Sequence, residues 1–246
     1  MDRMLYVAMT GATQTLNAQA ANTHNLANAA TPGFKADLNQ FRSMPVFGDG
    51  FASRVYAMTE RPGYDLKPGA FQTTGRDLDL AVGGEGWIAV QAPDGSDAYT
   101  KRGDLQVSVN GVLTTGAGDP VRGNGGPISV PPSEKIEIGS DGTISVRATG
   151  QDVKALAAVD RIKLVTLAPA AISKGEDGLF RLQAGATAPA DASVRVVSGA
   201  VEASNVNSVE ALVQMITLAR QFELQVKMME TAKSNDAAST QAMRLA

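Results

Sequence analysis

The chain has 246 residues, a formal net charge of −3 and no cysteine. That length admits two domains. Its 22 Lys and Arg residues are spread without a basic cluster, which argues against a nucleic-acid partner, and without cysteine there are neither disulfides nor thiolate metal sites.

The N-terminus sets Asp2 beside Arg3, and its apolar run breaks at Thr10 and Gly11. A secretory signal needs a basic start and an apolar run of about 7–15 residues. No cleavable signal is therefore expected, and any export uses a route that does not read one. No stretch approaches the ~20 apolar residues of a membrane span, so no direct membrane insertion is expected. Residues 1–30 are predicted to be helical, with Leu5, Met9, Ala12, Leu16, Gln19, Thr23 and Leu26 as a heptad-like stripe. Asn17, Asn22, Asn25 and Asn28 lower the helical propensity, so this helix depends on packing its apolar face. Thr31-Pro32-Gly33 ends it, because proline disfavours the helical region for the residue before it and glycine permits a turn.

Residues 36–75, rich in Pro, Gly and Phe, read as an irregular connector. Short strands follow, with turns at Asp94-Gly95, Asn110-Gly111 and Gly139-Ser140-Asp141-Gly142. Strands are expected at Trp87–Gln91, Ala98–Lys101, Leu105–Val109, Val112–Thr114, Lys135–Ile138 and Thr143–Val146. Further strands are expected at Arg161–Leu167, Leu179–Leu182 and Val194–Val197. This spacing argues for an antiparallel β domain. Residues 205–240 read as a second long helix, with Leu212, Met215, Ala219, Phe222, Val226 and Met229 as its stripe and Ser204 or Asn205 as its N-cap. Arg220/Glu223 and Glu223/Lys227 fall at helical pair spacing. Beyond Lys233 the stripe fades and the end is expected to fray.

The expected fold is α+β: long N- and C-terminal helices packing as a coiled-coil-like pair, with a central, mainly antiparallel β domain. The expected division is 1–35 with 200–246 as a helical assembly domain, 36–80 as an extended connector and 81–199 as a β-rich outer domain.

Chemistry finds little support. Gly83-Gly84-Glu85-Gly86 joins two strands and opens no helix, so it reads as a tight turn and not as a phosphate cradle. Asp77 and Asp79 lack a third ligand and sit beside Arg76, which favours a solvated strand face or a structural ion pair. His24 is the only histidine and cannot build a histidine metal site; a surface or interface position is expected. No serine stands in a nucleophile elbow. Neither catalytic residues nor a cofactor is expected.

Three stretches, in order, resemble the rod and hook axial proteins of the bacterial flagellum. The first is Asn25-Leu26-Ala27-Asn28-Ala29-Ala30-Thr31-Pro32-Gly33-Phe34-Lys35. The second is Thr74 to Val82 with Gly86, Trp87 and Tyr99-Thr100-Lys101-Arg102-Gly103. The third is Ser204-Asn205-Val206-Asn207-Ser208-Val209, continuing through Met215-Ile216, Arg220-Gln221-Phe222-Glu223 and Lys227. One departure is a Val where Leu is usual in Gly199-Ala200-Val201-Glu202. Length and opening residues look most like the proximal-rod members, with the distal rod or the hook as the alternative.

The resemblance implies a structural subunit of the basal-body rod. Such a subunit is exported through the flagellar type III apparatus and assembles helically with copies of itself and other rod proteins, within surrounding ring proteins. It further implies that Asn25, Leu26, Ala27, Asn28, Thr31, Pro32, Gly33 and Phe34 are assembly residues, together with Ser204, Asn205, Val206, Leu212, Met215, Ile216, Arg220, Phe222 and Glu223. Leu26 and Phe34 are expected to pack against the returning C-terminal helix.

Overall fold

The computed structural model describes residues 4–45, 55–148, 156–182 and 186–245. Helix α1 (Met4–Ala27) is followed by β1 (Asp37–Pro45), β2 (Val55–Tyr64), β3 (Phe71–Thr73), β4 (Leu80–Val82), β5 (Gly86–Gln91) and β6 (Asp97–Thr100). Then come β7 (Leu105–Val107), β8 (Leu113–Thr115), β9 (Ser133–Ile138), β10 (Thr143–Ala148), β11 (Ala157–Arg161) and β12 (Leu164–Thr166). The chain ends with β13 (Ile172–Lys174), β14 (Phe180–Leu182), β15 (Val196–Ser198), β16 (Ala200–Glu202) and helix α2 (Ser208–Leu245). The fold is α+β, with the two terminal helices packed on each other. Two compact units result. The helical unit comprises Met1–Ala29, Ala36–Asp65 and Val206–Ala246; the β unit comprises Ala30–Lys35 and Leu66–Asn205.

In the helical unit α1 and α2 run antiparallel. Asn22 lies against Ala211, and Gly11 lies against Gln225. Met1 to Arg3, at the start of the expected first helix, lie outside the described residues. At the other end α2 continues to Leu245 and does not stop after Lys233. Ala and Met continue past that point, and their intrinsic helicity sustains the last turns where the apolar stripe gives out. The expected irregular connector is partly regular. β1 and β2 form a long antiparallel ladder from Asp37↔Tyr64 to Pro45↔Val55, with an irregularity between Leu38 and Gln40. It packs on α1, where Gln14 accepts from Thr59 N at 3.0 Å and from Thr59 Oγ1 at 3.1 Å. Pro45 and Pro62, with the half-polar faces of both strands, hide this ladder from a pattern reading, since proline demotes a strand. The connector's residues 46–54 lie outside the described residues.

In the β unit a five-stranded antiparallel sheet runs in the order β12-β5-β6-β14-β13, beside the three-stranded sheet β11-β10-β9 and the pairs β15-β4, β16-β3 and β7-β8. The core gathers Leu80, Val82, Ile88, Val90, Leu105 and Ile144, all fully buried. β5 is an interior strand between β12 and β6, and Gly86 to Val90 are buried without alternation, which explains its continuous apolar run. Trp87 packs on Phe180 with ring centroids 4.7 Å apart. The expected strand Arg161–Leu167 is two strands: β11 pairs with β10, and β12 pairs with β5.

Candidate assembly site

The helix–helix contact is built from unequal halves. The face that α1 buries carries Ala8, Gly11, Ala12, Thr15, Ala18 and Asn22, a run of small and polar residues at three-four spacing. The facing side of α2 holds Ala211, Met215, Leu218, Phe222, Gln225, Met229 and Ala232, also at alternating three-four spacing, all buried or half-buried. Large side chains of α2 thus lie on a shallow, small-residue groove of α1. Asn22 is buried and donates its amide to Ala211 O at 2.8 Å, which satisfies a polar group where an unpaired one is costly.

This register corrects the expected stripe of α1. Ala12 is buried, but Leu5, Met9 and Leu16 are exposed. The large apolar residues were expected to face the partner helix; close approach selects the small ones instead, because two helices near each other leave little room between their backbones. On α2, Met215 and Phe222 do lie on the inner side, whereas Leu212 and Ile216 are exposed together with Arg220 and Glu223.

The end of α1 is held by its asparagines. Asn25 bonds the main chain of Asp37 twice, donating from Nδ2 to the carbonyl at 2.9 Å and accepting the amide on Oδ1 at 2.9 Å. The exposed His24 places Nδ1 2.9 Å from Asp37 Oδ2. Asn28 donates from Nδ2 to His24 O at 3.0 Å, covering a carbonyl of the last turn. Leu26 is half-buried and Ala27, the last helical residue, is exposed.

The next motif belongs to the β unit. Thr31-Pro32-Gly33-Phe34 is a four-residue turn closed by Phe34 N donating to Thr31 O at 3.3 Å, with proline second and Gly33 third at φ 68°. Gly33 is buried and donates its amide to Glu202 O at 2.7 Å. A Cβ on it would stand 2.3 Å from the Lys101 carbonyl carbon, so only glycine fits. Phe34 is buried beneath the Lys174 ammonium, 4.0 Å from its ring centroid, and its carbonyl accepts Asn205 N at 3.3 Å. Lys174 and Asn205, these two partners of Phe34, both belong to the β unit.

Beside this turn lies a charge cluster that the sequence reading did not single out. Lys35 is 1% exposed and Glu202 is fully buried. Lys35 Nζ donates to Glu202 Oε1 at 2.6 Å and to Lys67 O at 2.8 Å. The same Oε1 accepts Gly69 N at 3.0 Å. Lys101, also buried, lies 3.9 Å from Glu202 Oε2, donates to Gly84 O at 2.7 Å and stands 5.6 Å from the Trp87 ring centroid. Burial pulls the Lys101 ammonium down to about 8, partly opposed by Glu202 and reinforced by Lys35.

The C-terminal motif divides in the same way. Ser204 and Asn205 lie in the β unit, where Asn205 Nδ2 donates to Lys67 O at 3.2 Å. Val206 and all of α2 lie in the helical unit. The N-cap is Asn207, whose Oδ1 accepts the amides of Val209 at 3.1 Å and Glu210 at 3.3 Å. It corrects the expected Ser204 or Asn205, because the helix starts at Ser208 and a cap must directly precede it. Of the other residues weighed, Gly83 to Gly86 form a turn closed by Gly86 N donating to Gly83 O at 3.3 Å. Asp77 lies in an exposed turn while Asp79 is buried, 3.6 Å from Arg76, so the two do not share a face.

Three family models match the chain in order. The model described as flagella basal body rod protein covers residues 5–35, the flagellar hook protein FlgE/F/G D1 domain covers 81–146, and the flagellar basal body rod FlgEFG protein C-terminal covers 197–242. The chain is 44% identical to the flagellar basal-body rod protein FlgF of Salmonella typhimurium and 43% identical to that of Escherichia coli, with 100% of each chain covered in both cases. It is 31% identical to the flagellar basal-body rod protein FlgG of Bacillus subtilis, over 94% of this chain and 96% of that one. From the asparagine-rich end of α1 to the entry of α2, the residues that shape these turns lie within the matched segments, and the chain belongs to the family of flagellar basal-body rod proteins, on its FlgF branch.

Proposed function

We propose that this chain is a structural subunit of the proximal flagellar rod that polymerises helically, with copies of itself and with other rod proteins, through the outer faces of α1 and α2. One observation carries the reading. The two helices bury small residues of α1 against α2, yet both leave large apolar side chains in solvent. Leu5, Tyr6, Met9 and Leu16 are exposed on α1, and Leu212, Val213, Ile216 and Leu224 on α2, with Leu16 at 48% and Ile216 at 57%. Apolar surface on this scale along two long helices marks a protein contact. A head-to-tail contact that does not close into a ring builds a helical filament.

In this reading the subunit reaches its place through the flagellar export apparatus and stands in the periplasm-spanning rod, within the surrounding ring proteins. The Asn25–Asn28 and Thr31–Phe34 segments serve assembly by fixing where α1 ends and the β unit begins. The role is mechanical, and no reaction is assigned to the chain. No helix among the described residues is long and apolar enough to cross a membrane.

The test is a pair of charge substitutions, Leu16→Glu and Ile216→Glu, in the native host. Both positions are exposed, so the purified variants keep the parent's helical circular dichroism and Trp87 emission. Motility and rod assembly are lost. Normal rods built from both variants would overturn the reading.

A further inference from the structure

The β unit contains six residues, Ala30 to Lys35, that are separated from the rest of it by the 30 residues Ala36–Asp65 of the helical unit. This short segment turns inward: Ala30 is exposed and Thr31 and Pro32 are half-buried, but its second half fills the interior. Gly33, Phe34 and Lys35 are all buried. Its bonds go to partners far along the chain: Gly33 N to Glu202 O, Phe34 O from Asn205 N, and Lys35 O from Lys174 Nζ at 2.9 Å. The contact at its centre, Lys35 to Glu202, spans 167 residues.

We propose that Thr31–Lys35 is a plug that the β unit requires in order to close, and that the Lys35–Glu202–Lys101 cluster is the latch that makes closure conditional on both ends of the unit being in place. Glu202 is a fully buried carboxylate. Without the plug it keeps the Gly69 amide and faces Lys101 at 3.9 Å, beyond hydrogen-bonding reach. A buried charge that loses its partner is strongly destabilising, far more so than the net worth of the pair suggests. The same holds for Lys35 before Glu202 arrives. Neither end tolerates burial alone, so a chain lacking residues up to Glu202, or one whose first 35 residues are held elsewhere, leaves the β unit open. Burial is the chief cause of the lowered proton affinity of Lys101, which Glu202 opposes and the Lys35 ammonium reinforces. This inference rests on the contacts within the β unit and stands independently of the rod assignment.

The experiment uses the full chain and its single tryptophan, Trp87, which is buried in the β unit. Urea unfolding is followed by Trp87 emission for the parent, Lys35→Met, Glu202→Gln and the double variant. Methionine keeps most of the packing volume and removes the charge. Lys35→Met is expected to shift the Trp87 unfolding constant toward the open state by about 100-fold or more. The double variant, which removes both charges, is expected to recover at least about tenfold of that loss, and to recover a folded β unit even if the single variant has none. A Lys35→Met chain within about threefold of the parent overturns the proposal. So does a double variant no more stable than Lys35→Met, because the loss then lies in packing and not in the unpaired charge.

Discussion

Asn25 and Asp37 exchange two hydrogen bonds between one side-chain amide and one residue's main chain, each 2.9 Å long. The asparagine thus occupies the place of a strand neighbour for the first residue of β1 and fixes where the ladder begins relative to the end of α1. Asn25→Ala leaves the Asp37 amide and carbonyl without this partner. We expect a loss of about 1–3 kcal/mol in unfolding free energy, with faster amide exchange at Asp37. Asn25→Asp keeps an acceptor for the amide but loses the donor and sets a second carboxylate beside Asp37, so it is expected to fare no better than alanine. A loss below about 0.5 kcal/mol in both variants, too small for any of these hydrogen-bond effects, would contradict this role.

Gly33→Ala combines two penalties. The positive φ strains any side chain by about 1–2 kcal/mol, and the new methyl meets the Lys101 backbone, which cannot swing aside. Gly75 is the control: its φ is 72° and nothing lies within 4 Å of the added carbon. We expect Gly33→Ala to cost about 3 kcal/mol or more and Gly75→Ala about 1 kcal/mol, read by Trp87 emission during urea unfolding. Equal losses at the two sites would mean that the close approach at Gly33 does not matter.

Gly11 tests the helix pair. An added methyl there would stand 2.9 Å from the Gln225 side chain, which is flexible and can yield. Alanine gains up to about 1 kcal/mol of helical propensity over glycine. Gly11→Ala is therefore expected to be neutral or stabilising by less than about 1 kcal/mol, and Gly11→Leu to destabilise by about 1–3 kcal/mol through overpacking. Thermal unfolding followed at 222 nm separates these outcomes; a leucine tolerated without loss would mean that α1 and α2 do not approach as closely as described.

Lys101 supplies a pH signature. Its ammonium titrates at about 8 in the folded chain, against an ordinary value of 10.5, chiefly through burial, with Glu202 and Glu85 opposing the shift and Lys35 adding to it. Between these two values the unfolded chain binds more protons than the folded one, so this group's contribution to stability rises with pH across that window and is constant below it. The difference in unfolding free energy between the parent and Lys101→Met should therefore move in the parent's favour from about pH 8 to about pH 10.5. A flat difference would contradict the shift.

The sequence makes the element types and the principal turns legible, because Asn-Gly, Asp-Gly and Thr-Pro-Gly impose local geometry whatever surrounds them. It does not disclose which helical face turns inward. Leu5, Met9 and Leu16 look like core by hydrophobicity, yet the α1–α2 contact uses Ala8, Gly11, Ala12 and Ala18. The signal available was the alignment of small residues at three-four spacing, which permits close helix approach. The β1–β2 ladder was obscured by its prolines. The Lys35–Glu202 pair was invisible for a different reason: two common charged residues 167 positions apart carry no local pattern.

In our proposal the terminal helices are the polymerising surface of a rod subunit. The most direct test is cross-linking mass spectrometry on hook–basal bodies purified from the native host. We expect this chain in the rod, with cross-links from α1 and α2 to other rod proteins and between copies of itself. Absence of the chain from the particle, or cross-links confined to hook components, would contradict the proximal-rod assignment.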